Sequence, residues 1–167
     1  MELRKTQLNM KFYSRLMLAT VFLMIGAGCT DHLKEGIAAY KEKNYSVALK
    51  ELQPLADKGK AEAQLVIGAM YDNGEGVSLD YRQAVLWYRQ AAEQGNANAQ
   101  YNLGMMHANG LGVPQDSVQA LKWFNLAALL GGDEVFVKAA KQVEAQITPE
   151  QAKAAWALST EWKEKHK

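Results

Sequence analysis

From residue 31 onward, apolar positions recur at three- and four-residue spacing and are interrupted at regular intervals by glycine. This is the pattern of short amphipathic helices joined by tight turns. Laying residues 61–96 over 97–132 gives one register of 36 residues with sixteen identities and no gap, so a structural unit is repeated. In each copy the stretch Ala-x-Ala-Gln-x-x-x-Gly-x-Met places small and apolar residues at helical spacing and then breaks at Asn-Gly-x-Gly-Val. Asp80 or Asp116 follows, with a glutamine three places later. The carboxylate can accept the free amides of a new first turn while the glutamine reaches back. A second helix then runs through Ala84, Trp87, Ala91 and Ala92 on one face, until Gly95 can adopt the left-handed conformation that caps a helix C-terminus. Each copy is thus a helix pair. Trp87, Trp123, Met70 and Met106 are expected in the core between pairs.

The run Ala-Glu-Ala-Gln-x-x-x-Gly-x-Met-Tyr-x-x-Gly-x-Gly-Val-x-x-Asp-x-x-x-Ala-x-x-Trp-Tyr-x-x-Ala-Ala-x-x-Gly resembles the Sel1-like repeat, a branch of the tetratricopeptide superfamily. The resemblance implies an all-α fold, a short right-handed α-solenoid of stacked antiparallel helix pairs. Upstream, Gly36, Tyr40, Tyr45, Ala48, Leu52 and Gly59 look like a shorter repeat. Gly36 and Ala48 lie 12 residues apart where Gly68 and Ala84 lie 16 apart, so residues 29–60 lack the four-residue insertion and are closer to a plain tetratricopeptide motif. Downstream, residues 133–167 are expected to form two capping helices, the second opened by Thr148-Pro149-Glu150-Gln151. Ala152, Ala155, Trp156, Leu158 and Trp162 would then cover the open end of a stack of roughly eight helices in four pairs.

Residues 1–28 have the layout of a secretory signal: Lys11 and Arg15 precede an apolar run from Leu16 to Gly28. The run is shorter than the roughly 20 apolar residues that span a bilayer. Met10 is the expected start, because residues 1–9 add nothing to such a signal. The stretch Ile25-Gly26-Ala27-Gly28-Cys29 resembles the lipobox of bacterial lipoproteins, with Gly26 where leucine is usual. That resemblance implies a diacylglycerol on Cys29, and at about 0.8 kcal/mol per buried methylene the acyl chains alone would hold the protein on a membrane. Thr30 follows the cysteine where aspartate does not, which looks like the proteobacterial signal for an outer-membrane lipoprotein facing the periplasm. Cys29 is the single cysteine, so neither an internal disulfide nor a thiolate-rich metal cluster can form.

Charge narrows the partners. Arg4, Lys5, Lys11, Arg15 and Glu2 fall within residues 1–28, which leaves 15 basic against 17 acidic residues and a net charge of −2. Nucleic acid is therefore not an expected partner, since it needs a surplus of positive charge on one face.

No catalytic, metal or cofactor site is expected. The glycine pairs at Asn73-Gly74-Glu75-Gly76 and Asn109-Gly110-Leu111-Gly112 lie between helices and lack the residues of a phosphate loop, so they read as turns. Asp72, Glu75 and Asp80 do not have calcium-loop spacing and read as a solvated loop and a helix cap. His32, His107 and His166 lie far apart, and Ser117 has no nucleophile elbow.

By resemblance to tetratricopeptide repeats, the first helices of successive pairs line a concave face. Its inward positions would be Leu33, Ile37 and Tyr40, then Leu65, Ala69, Asp72 and Asn73, then Tyr101, Met105, Ala108 and Asn109. This mixture of aromatic, small apolar and amide groups suits a peptide segment of an envelope protein. The function so implied is that of a lipid-tethered scaffold or adaptor of the bacterial cell envelope. The alternative is an envelope enzyme or regulator acting on peptidoglycan or beta-lactams, a chemistry associated with some Sel1-like proteins.

Overall fold

The computed structural model describes residues 31–166, so the expected signal, Met10 and Cys29 lie outside the described part. Helix α1 spans 31–41, and α2 Tyr45–Asp57, α3 Ala61–Asn73, α4 Tyr81–Glu93, α5 Ala97–Asn109, α6 Ser117–Gly131, α7 Glu134–Glu144 and α8 Pro149–Lys165 follow. Among the described residues there is no strand, and no helix is long and apolar enough to cross a membrane.

The helix ends follow the local chemistry of the sequence. Asp80 accepts from the amides of Arg82 and Gln83, and Asp116 from those of Val118 and Gln119. At Thr148 the full reciprocal cap forms, with the Gln151 side chain returning to the Thr148 amide. One stop moves. The register puts Gly131 in the place of Gly95, yet α6 runs through Gly131 and the left-handed residue is Gly132, with φ 67°. Gly131 is needed there for space instead, because the Phe136 ring and Ala97 stand where its Cβ would be, at 2.6 and 2.8 Å.

The pairs are sealed by one device used three times. A Cβ at Gly36 would stand 2.5 Å from Leu52, one at Gly68 2.7 Å from Tyr88, and one at Gly104 2.7 Å from Phe124. A glycine on each first helix therefore admits a large side chain from the second helix of its own pair, bringing the two backbones close. Successive pairs are joined by a different contact. The Nε2 groups of Gln64 and Gln100, both buried, donate to the carbonyls of Ala56 and Ala92 at 3.1 Å, satisfying acceptors in the last turn of the preceding helix. The interhelix loop also seats on the preceding pair. Gly76 lies against Tyr45, and 36 residues later Gly112 lies against the backbone of Tyr81.

Met70, Met106 and Trp123 are buried as expected, whereas Trp87 is only half-buried, packing on the core between the first two pairs. The C-terminal end departs further from expectation. Helices α7 and α8 each pack on α6 and not along one another, so they are not a fourth pair. On α8 the stripe of Ala155, Ser159 and Trp162 is buried and Ala152 and Leu158 are half-buried, but Trp156 is 52% exposed. Trp156 lies about 100° around the helix from Ala155, so it falls off the packed face. Trp162 reaches back across α6 to the end of α4, where its indole N–H donates to Glu93 Oε2 at 2.6 Å.

Candidate interaction surfaces

Three first helices carry the same i, i+4, i+7 stripe: 33, 37 and 40 on α1, 65, 69 and 72 on α3, and 101, 105 and 108 on α5. The structure holds most of these residues half-buried. Leu33, Ile37 and Tyr40 pack against the core that α2 shares with α3, while Leu65 and Ala69 pack against the core shared by α4 and α5. Tyr101 sits between Phe124 and Phe136, with ring centroids 5.5 and 5.2 Å away, and Ala108 packs on the same core. Asp72 accepts from the Tyr88 hydroxyl at 3.3 Å, and burial raises its carboxyl above the usual range. Asn73, Met105 and Asn109 are exposed, and the Asn109 amide donates to the Met105 carbonyl. The stripe is therefore partly spent on packing and partly open to a partner.

Glu75 is more than a solvated loop residue. Its carboxylate accepts from the Tyr45 hydroxyl at 2.7 Å and from the Tyr40 hydroxyl at 2.8 Å. Those two hydrogen bonds hold its carboxyl below the usual range, and burial together with the Glu75 contact pushes the Tyr40 phenol up to about 12. The signal lay in the repeat itself: the matching residue is Leu111, which packs on the core beside Tyr81. The two loops fill equivalent positions, one by hydrogen bonding and the other by apolar contact.

His107 is buried with its Nδ1 unpartnered, and burial is the main cause that lowers its pKa below the ordinary histidine value. A depressed folded-state pKa means stability that is present above the unfolded value near 6.5 and lost as pH falls below it. Thermal melts at pH 7.5 and 5.5 should therefore show a larger drop for the parent than for His107→Gln. Equal drops would remove His107 as the cause.

His32, Glu35 and Glu51 bring three possible ligand atoms within 4.8 Å of one another across α1 and α2, a juxtaposition that spacing along the chain did not reveal. Glu51 is already engaged there, by His32 Nδ1 at 2.6 Å and Lys50 Nζ at 3.2 Å. These contacts hold its carboxyl below the usual range.

Stacked helix pairs joined by a repeated seam, with an open stripe on their first helices, define an α-solenoid of the helix-repeat class. Residues 61–96 and 97–132 each match the Sel1 repeat, so the chain carries two Sel1 repeats. It is similar to the crystal structure of a protective antigen, displaying an SLR fold, present in uropathogenic Escherichia coli strains. Identity is 33% and the TM-score 0.79, over 83% of this chain and 30% of that one. It is also similar to a Sel1 repeat protein from Oxalobacter formigenes, at 31% identity and a TM-score of 0.63, over 76% of this chain and 54% of that one. The chain thus spans about a third and about half of these two relatives. No curated protein matches it. Sel1 repeat proteins generally serve as protein-interaction scaffolds and are typically not enzymes.

Proposed function

We propose that the protein is a lipid-tethered adaptor of the bacterial cell envelope that holds a segment of another envelope protein on the face formed by α1, α3 and α5. The observation that carries this reading is the three-fold recurrence of the i, i+4, i+7 stripe, with Asn73, Met105 and Asn109 left exposed along it. Apolar and amide groups side by side match a peptide that offers both side chains and backbone polar groups. The tether rests on the sequence: Cys29 follows the expected signal and stands two residues before α1, and Thr30 after it favours the outer membrane of a two-membrane bacterium.

Two measurements test the reading separately. Metabolic labelling with palmitate should mark the parent and not Cys29→Ser, and the variant should leave the membrane fraction. Label retained by Cys29→Ser would rule out the tether. For the face, Met105→Asp combined with Asn109→Lys changes two exposed residues, so melting should stay within a few degrees of the parent. Crosslinked partner protein recovered from membranes should fall at least tenfold. Undiminished capture would move the binding site elsewhere.

A further inference from the structure

The C-terminal helices leave a slot that the proposed partner face does not use. Between α7 and α8, floored by α6, lies a cleft of about 560 Å³. Val137, Lys141 and Glu144 line one wall and Trp156, Thr160 and Lys163 the other. Each wall is an i, i+4, i+7 stripe of one helix, the periodicity by which a helix meets a neighbouring helix. On the first helices most residues of such stripes are half-buried against neighbouring helices; here both walls face an open cleft. Val137 is 37% exposed, Trp156 52% and Leu129, on the floor, 55%. A solvent-facing group of large apolar side chains of this kind marks an interaction site.

Two further observations say what fits. The floor residue Asn125 is 7% exposed, and its Nδ2 is buried beneath the cleft with no hydrogen-bond partner. The rim carries two ammonium groups, Lys141 and Lys163. The one carboxylate lining the cleft, Glu144, is taken by the Trp156 indole N–H at 3.3 Å. The cleft is thus largely apolar within and cationic at its edges.

We infer that this cleft receives an amphipathic helix of a partner protein, one whose apolar stripe fills the space between α7 and α8 and whose Asp or Glu side chains meet Lys141 and Lys163. It is a second docking surface, lined by α6, α7 and α8 and by no residue of α1, α3 or α5, and it stands whether or not the first-helix face binds anything.

A photocrosslinking residue, p-benzoylphenylalanine, placed at Val137 in the full chain in its native cell reports on the occupant. The same residue at Leu86, 50% exposed on α4 and outside the cleft, is the control. Mass spectrometry of the Val137 adduct should map to one helix-forming segment of a partner protein, with Asp or Glu flanking its apolar stripe. Lys141→Glu combined with Lys163→Glu should lower that adduct at least tenfold with melting unchanged, and Met105→Asp with Asn109→Lys should leave it intact. An adduct with a second copy of this chain or with lipid would overturn the inference. So would capture no greater than at Leu86, or a yield indifferent to the charge reversal.

Discussion

Trp123→Ala should lower the free energy of unfolding by about 3 to 5 kcal/mol, measured by urea denaturation with an unchanged slope. Trp123 is 3% exposed in the core that joins α4, α5 and α6, and the Lys122 ammonium lies 4.1 Å from its ring centre. Deleting the indole removes a large apolar surface from the middle of the stack, and the neighbouring alanines cannot close the void. A chain of this size has about 5 to 15 kcal/mol of stability in all, so the variant should be close to unfolding at body temperature. Trp156→Ala is the matched control, since an exposed residue should change stability by no more than about 0.5 kcal/mol. If the two variants melted alike, the packing described for the third pair would be wrong.

Gly112→Ala should be the most damaging change of a single methyl group. Gly112 has φ 70°, a left-handed backbone that costs a side-chain-bearing residue about 1 to 2 kcal/mol. Its Cβ would also fall onto the Tyr81 carbonyl and the Arg82 amide, backbone atoms that cannot swing aside, which adds about 1 to 3 kcal/mol of overpacking. Gly59 separates the two contributions, because it has φ 87° with nothing within 4 Å of the methyl that alanine would add. Gly59→Ala should therefore show the backbone cost alone, and the difference between the two variants isolates the seating of the loop on the preceding pair. Equal losses would mean that the loop is not held there.

The repeated part was legible because its determinants are local and occur twice. Asp80 and Asp116, the Asn-Gly-x-Gly turns and the 36-residue register each dictate a helix start, a stop or an equivalence without reference to anything distant. The parts that escaped depend on contacts far apart in the chain. Glu75 reads as an exposed loop acid until Tyr40 and Tyr45, 35 and 30 residues away, are seen to converge on it. Trp156 reads as a capping residue because five apolar residues on one helix cannot all face inward, and nothing in the helix itself says which one is left out. The splay of α7 and α8 has a similar origin. Phe136 occupies the space over Gly131 and Tyr101, and Trp162 bonds to Glu93, so the two helices are anchored at different places. The candidate stripe on the first helices was readable as a pattern, but how far each residue is consumed by the neighbouring unit was not.

The reach of Trp162 to Glu93 makes the last helix a ruler for the array. Duplicating residues 97–132 after Gly132 would leave α8 resting on an identical copy of α6, yet the indole would now meet the position 36 residues beyond Glu93, which is Leu129. Its N–H would find a methyl where it needs an acceptor. The terminal helix therefore recognises which repeat lies two helices behind the one it rests on, and the number of units becomes a property written into one hydrogen bond.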